Sequence, residues 1–202
     1  MIQLEFSRRY SMAHRLLGDR TSKCAIPHGH NEIVTVRLGT DLPLEFGDRN
    51  LVAPFDVLKR RWMKWIDEAV DHSFHISLRD PLIAHFTTEE SDLQTRLMTF
   101  DGDPTTEALA LAFAMKLSAF LRAAEMPFRC EQVTVEETPT NKVVLERAWD
   151  LSACGDWTPG QWAGRADMSI NDLPPRREPA KAGSVQAAVL SQVDGGHRGQ
   201  EY

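Results

Sequence analysis

The order in which the apolar residues change period limits what this chain can fold into. Ile2, Leu4 and Phe6 alternate with polar neighbours, so residues 2–13 predict a strand. A loop of Gly, Asp, Thr, Ser, Lys and Pro fills 15–27. Val34, Val36 and Leu38 alternate with Thr35 and Arg37, predicting a second strand over about 31–39 that His28-Gly29-His30 opens. Phe55, Leu58, Trp62, Ile66 and Ala69 recur at helical spacing and predict a helix over about 55–70. A second helix starts where Asp103 can cap it and Pro104 suits its first turn, and it runs to about Ala124. Val133 and Val135 restore a period of two at 129–136, and a short strand is expected at 142–147. The stretch 73–103 carries no clear period. Strand, strand, helix, helix, strand, strand is an α+β pattern.

Composition removes several function classes. Against 23 Lys and Arg stand 29 Asp and Glu, a net charge of −6, which disfavours a nucleic-acid coat. A local basic patch can still serve an anionic substrate. With 42% hydrophobic residues the chain can bury a core, so it is not disordered throughout. No run approaches the roughly 18 apolar residues of a membrane span. MIQLEFSRRY lacks the apolar core of an export signal. Cys24, Cys130 and Cys154 are too few and too widely spaced for a disulfide framework, so a reducing cytoplasm is expected. DLPLEFGDRN, at 41–50, reads as a turn-rich connection. Past about residue 148 the composition shifts to Gly, Pro and polar residues. The chain therefore divides into a domain at 1–148 and a partly flexible C-terminal extension at 149–202.

Chemistry concentrates in a few places. Residues i and i+2 of a strand share a face, so His28 and His30 can share one metal ion. If the first two strands pair antiparallel through the 15–27 loop, His14 lands beside them. Three imidazoles with no fourth protein ligand describe an open zinc site. His75, His85 and His197 have no such support. Cys24 lies on the same loop and reads as a base or nucleophile, a fourth ligand, or a plain loop cysteine. Asp71 can fix the tautomer of His72 where the first helix ends. One of Glu136 and Glu137 must face inward from its strand, where a ligand with two parallel N–H groups would satisfy its carboxylate.

These residues resemble a known family. FSRRYSMAHRL, Cys24-x3-His28-Gly29-His30, Val70-Asp71-His72, Asp103-Pro104-Thr105-Thr106-Glu107 and Val135-Glu136-Glu137-Thr138 together look like the 6-pyruvoyl-tetrahydropterin and 6-carboxytetrahydropterin synthases, over residues 2–147. The short Cys-x3-His-Gly-His spacing is more similar to the bacterial 6-carboxy branch. The resemblance implies a tunnelling fold: a four-stranded antiparallel sheet, strand and helix order ββααββ, with two helices on one face. Subunits would close edge to edge into a barrel, as a trimer or hexamer. It implies zinc on His14, His28 and His30, and proton transfer by Cys24, Asp71 and His72. Glu137 would anchor the pterin ring, with Thr106 helping through its backbone.

The implied reaction converts 7,8-dihydroneopterin triphosphate to 6-carboxy-5,6,7,8-tetrahydropterin, with loss of acetaldehyde and triphosphate, in queuosine and deazapurine biosynthesis. Alternatives are 6-pyruvoyl-tetrahydropterin synthase, which only eliminates triphosphate, and a non-catalytic pterin- or metal-binding protein on the same fold. A small zinc hydrolase is a further rival, for which no Glu is obviously placed as base beside the paired histidines. Arg8, Arg9, Arg15, Arg20 and Lys23 are candidates for the triphosphate. The sequence departs from the family at Asn50-Leu51-Val52-Ala53-Pro54-Phe55, where Pro54 replaces the usual Asp, and the stretch 79–102 is longer than the common linker.

Overall fold

The computed structural model describes residues 2–42, 47 and 50–174. Part of the 41–50 connection, and the chain from 175 with His197, lie outside the described residues. Strands β1 (Gln3–His14) and β2 (His28–Gly39) pair antiparallel over their full length, from Gln3 opposite Gly39 to His14 opposite His28. β2 pairs antiparallel with a strand at Arg129–Thr138, and that one with a strand at Asn141–Glu146.

The sheet differs from the expectation of four antiparallel strands. It is a mixed, six-stranded sheet. Two short strands, β3 (Ser73–Ser77) and β4 (Leu97–Phe100), extend it beyond β1 with parallel pairing. With the later strands as β5 and β6, the spatial order is β4-β3-β1-β2-β5-β6. The period-two signal is missing from 73–103 for a physical reason. All of β4 and every residue of β3 except Phe74 are buried, so neither strand has a wet face. Parallel neighbours need a crossover. Between β3 and β4 it consists of α2 (Leu82–Thr88) and a 3₁₀ turn at Ser91–Arg96. Three α-helices therefore replace the expected two, and ββααββ becomes ββαβαβαββ.

One sheet face carries the core: Phe6, Tyr10 and Met12 of β1, Val34, Val36 and Leu38 of β2, Val133 and Val135 of β5. Against it lie α1 (Phe55–Trp65) and α3 (Thr106–Ala123). Phe113 meets Tyr10, Trp62 and Trp65 edge-on, with ring centroids 5.6–5.8 Å apart. The first helix stops short of 70 as an α-helix. A π turn at Ile66–Val70 completes it, and the Asp71 N–H closes that turn on Ile66 O at 2.8 Å.

The cap of α3 is Thr105, not Asp103. Thr105 Oγ1 accepts the Ala108 N–H at 3.3 Å. The Asp103 carboxylate is taken up elsewhere, by the Leu17 and Gly18 N–H groups at 2.9 and 2.8 Å. Residues 157–174 form a strap along the outer edge of β4, where Trp162 is buried. Among the described residues no helix is long and apolar enough to cross a membrane.

Candidate metal centre

The β1–β2 hairpin brings three imidazoles together. His14 stands opposite His28, and His30 lies one step along the same face of β2, opposite Met12. One ring nitrogen from each of the three falls within 4.8 Å of the others. Gly29 permits the close pairing between them. A Cβ there would sit 2.7 Å from Met12 O, so only glycine fits.

The hydrogen bonds around the trio select the ring nitrogens that are free. His14 Nδ1–H donates to Pro104 O at 2.9 Å, and His28 Nδ1–H donates to Ile26 O at 2.8 Å. Both rings then carry a lone pair on Nε2, and those two atoms are 3.1 Å apart. Two lone pairs at that separation repel unless a cation or proton lies between them. Burial pushes the His14 imidazole below its usual proton affinity. His30 Nε2 is buried without a hydrogen-bond partner. The donor set therefore fits a divalent ion that favours neutral nitrogen ligands. His75 is buried and bonded to Ser73 Oγ at 3.0 Å, and His85 meets Glu90 at the surface, so neither joins the group.

A cavity of about 320 Å³ adjoins the trio, lined by His14, Leu16, Thr106, Glu107, Glu137 and Lys142 among others. The strand register decides which of the two successive glutamates enters it. Glu136 pairs with Ile33, and its neighbour Glu137 turns to the other face. The Thr106 hydroxyl donates to Glu137 Oε1 at 2.8 Å.

The remaining candidates are placed differently. Cys24 lies in a 3₁₀ turn whose Cys24 O accepts the Leu16 N–H at 2.8 Å, next to the cavity wall. Asp71 Oδ1 accepts the Ser11 N–H at 2.8 Å, and Oδ2 meets His72 Nδ1 at 2.9 Å. The chain turns left-handed at His72 (φ 60°), which lets these adjacent side chains face each other. Burial raises the Asp71 carboxyl, but the Ser11 N–H, His72 and Arg8 outweigh it and hold the group below its usual value. Cys24, Asp71 and His72 do not line the cavity, and the His72 side chain is 77% exposed.

Two of the basic candidates are already engaged. Arg8 is bidentate to Asp67 at 2.7 and 2.9 Å, and Arg15 is bidentate to the buried Asp80. Sequence reasoning passed over Glu32, although it continues the face of His28 and His30. It is buried opposite Tyr10 and accepts the Tyr10 hydroxyl. Burial pushes its carboxyl up to about 7, the Tyr10 hydroxyl lowers it, and the charge of Glu137 raises it. The Pro104 and Ile26 carbonyls were also missed, because every residue carries a carbonyl and nothing in the sequence marks these two.

The profile of the 6-pyruvoyl tetrahydropterin synthase family matches residues 3–148. The 6-carboxy-5,6,7,8-tetrahydropterin synthase of Aquifex aeolicus is 29% identical over 124 residues, spanning 60% of this chain and 74% of the relative. That of Rickettsia bellii is 27% identical over 111 residues, spanning 55% and 76%. Among solved structures, an uncharacterized Wolinella succinogenes protein superposes with a TM-score of 0.57 at 20% identity, covering 72% of this chain and 97% of its own. A Plasmodium vivax 6-pyruvoyltetrahydropterin synthase reaches 0.53 at 19%, with the same coverage. These two structural likenesses speak to the fold alone.

Proposed function

Because this chain belongs to the 6-pyruvoyl tetrahydropterin synthase family, we propose that it is a metal-dependent pterin lyase of the 6-carboxy-5,6,7,8-tetrahydropterin synthase type. Its substrates are 7,8-dihydroneopterin triphosphate and one water, which supplies the second carboxyl oxygen, and its products are 6-carboxy-5,6,7,8-tetrahydropterin, acetaldehyde and triphosphate. The pathway is queuosine or related deazapurine biosynthesis, and the compartment is the cytoplasm. The observation that carries this reading is His14, which belongs both to the histidine trio and to the wall of the cavity that holds Glu137.

His14, His28 and His30 hold the ion, which we assign as zinc, with the Pro104 and Ile26 carbonyls fixing two of the rings. Bound there, zinc supplies Lewis acidity toward the hydroxyls of the substrate side chain. Glu137 anchors the pterin ring. Thr106 holds Oε1, and the remaining lone pairs accept the ring N3–H and 2-amino group side by side. The Cys24 thiolate removes a carbon-bound proton. Asp71 holds His72 Nδ1–H, so His72 Nε2 is the atom that exchanges protons with substrate. The reduced ring balances the oxidised side chain, and no external redox cofactor is needed.

The exposure of His72 supports a site completed between subunits of a homo-oligomer, a trimer or hexamer closed through sheet edges. The test is zinc-loaded protein with 7,8-dihydroneopterin triphosphate and mass spectrometry of all products. Acetaldehyde with the 6-carboxy product is the expected result. A 6-pyruvoyl product without acetaldehyde would replace the carboxy assignment. Bound pterin without turnover would leave a binding protein.

A further inference from the structure

The stretch 101–106 touches each part of the site in turn. Asp103 holds the Leu17 and Gly18 N–H groups at 2.9 and 2.8 Å, on the loop that carries Cys24. Pro104 O fixes His14 Nδ1 at 2.9 Å. Thr106 holds Glu137 at 2.8 Å. Between Asp101 and Asp103 stands Gly102 at φ +106°, a conformation few residues but glycine adopt, and one from which a glycine backbone swings readily. Something must hold Asp101 if the contacts beyond Gly102 are to stay in place.

Arg79 holds the Asp101 carboxylate at 2.9 Å, and the strap holds its backbone. The Asp101 N–H donates to Pro159 O at 3.2 Å, and Trp157 Nε1–H donates to Asp101 O at 3.0 Å. The strap is itself fixed along β4. The Thr99 N–H donates to Ile170 O at 3.1 Å, and Trp162 Nε1–H donates to Thr99 O at 3.0 Å. Asn171 Nδ2–H donates to Leu97 O at 2.8 Å and Gln94 O at 2.9 Å. We propose that this strap positions the metal and substrate site, acting through Asp101 on Asp103 and Pro104, and that Trp157 is a positioning residue. The strap lies beyond residue 148, outside the part of the chain that matches the family.

The proposal rests in part on reading the histidine trio as a metal centre, so its test has one readout that does not. Trp157→Phe removes the single N–H donor and leaves a smaller aromatic ring in place of the indole, a loss of ring that the Trp149→Phe control shares. Trp149→Phe is the control, because Trp149 Nε1–H makes an equivalent bond to Glu131 at 3.1 Å, elsewhere on the molecule. Hydrogen exchange is followed at Leu17 and Gly18, and Co²⁺ is titrated with its visible spectrum recorded. Trp157→Phe is expected to speed exchange at Leu17 and Gly18 about 5-fold, the effect of one lost hydrogen bond. It should also weaken Co²⁺ binding about 3-fold or more and alter the absorption bands, less than the roughly 10- to 100-fold of removing a ligand's own partner. Trp149→Phe should change neither. Equal behaviour of the two variants, or exchange in Trp157→Phe that rises equally along β5, would overturn the proposal. If even the unmodified protein binds no Co²⁺, the metal reading fails, and exchange at Leu17 and Gly18 decides the proposal alone.

Discussion

The half-buried histidine trio beside the start of α3 and the buried Lys116 ammonium farther along that helix are both polar clusters, and their surroundings are opposite. Lys116 Nζ reaches Trp162 O at 2.8 Å, Arg165 O at 3.1 Å and Asp167 Oδ1 at 3.4 Å. The rings of Trp65, Phe120 and Trp162 lie 5.6–5.7 Å from it. Each of its three N–H groups has an acceptor. At the trio, two Nε2 atoms meet at 3.1 Å and the third has no partner. A polar cluster that is complete within the chain fastens the fold. One that is incomplete calls for something from outside, and a buried unpaired donor or acceptor costs about 1–3 kcal/mol until it arrives.

The sharpest way to break this comparison is His30→Ala. Turnover is expected to fall by at least about 10³-fold, since a Lewis-acid ion contributes several kcal/mol to the transition state. The metal-free protein should lose less than about 1 kcal/mol in urea unfolding, because the half-buried ring that is removed carries an Nε2 with no partner, which offsets its lost packing. A larger loss in the metal-free variant would make the trio a structural cluster like that of Lys116.

Lys116→Met probes the other side. It leaves the Trp162 and Arg165 carbonyls without their donor, at about 1–3 kcal/mol each, offset by the buried charge that is lost with the lysine. A net loss of about 2 kcal/mol is expected in urea unfolding. An unchanged unfolding midpoint would mean that the strap is fastened by its other contacts.

The difference between the two clusters also explains what the sequence could disclose. His28 and His30 share a face because strands alternate, and antiparallel pairing carries His14 to them. Both facts are patterns of spacing. Spacing reached Glu137 only as one of two successive strand residues and did not choose between it and Glu136; the strand register does. The partners of Lys116 are not patterns. Two are backbone carbonyls of a Gly/Pro-containing stretch, and Trp162 has no periodic neighbours to mark it as core. β3 and β4 were hidden because burial on both faces erases alternation. Asp103 and Thr105 are both good capping residues, and only the nearness of Leu17 and Gly18 decides which one caps.

Thr106→Val sharpens the comparison at a third place, where the chain satisfies one half of a carboxylate and, in the proposed function, leaves the other half to the ligand. The substitution keeps the shape and removes the donor to Glu137 Oε1. Glu137 would lose its orientation but keep its charge. A loss of about 1.5 kcal/mol in kcat/KM, roughly tenfold, is expected, the lower end for a hydrogen bond to a charged group. It should fall mainly on KM, since the anchor binds ground and transition states alike. A fall confined to kcat would move Thr106 from binding to chemistry.

The smallest effect tests whether the Lys116 cluster is complete in charge as well as in hydrogen bonds. Burial pushes the ammonium down to about 8 from the usual 10.5, although Asp167 pulls it back up. The folded chain therefore releases this proton at lower pH than the unfolded chain. Between pH 8 and 10.5 the unfolded state binds more protons, and stability rises with pH through that window. Below pH 8 both states hold the proton, and the full cost of the buried charge is present. Lys116→Met has no such group, so the stability gap between the native protein and the variant should widen by about 1 kcal/mol from pH 7 to pH 9. Urea unfolding of both proteins at the two pH values measures the gap, and the shared titrations of the rest of the chain cancel in the difference. A gap that stays flat would mean that Asp167 and the three aromatic rings fully offset the desolvation of the ammonium. The cluster would then be closed electrostatically too, and the contrast with the trio would be complete.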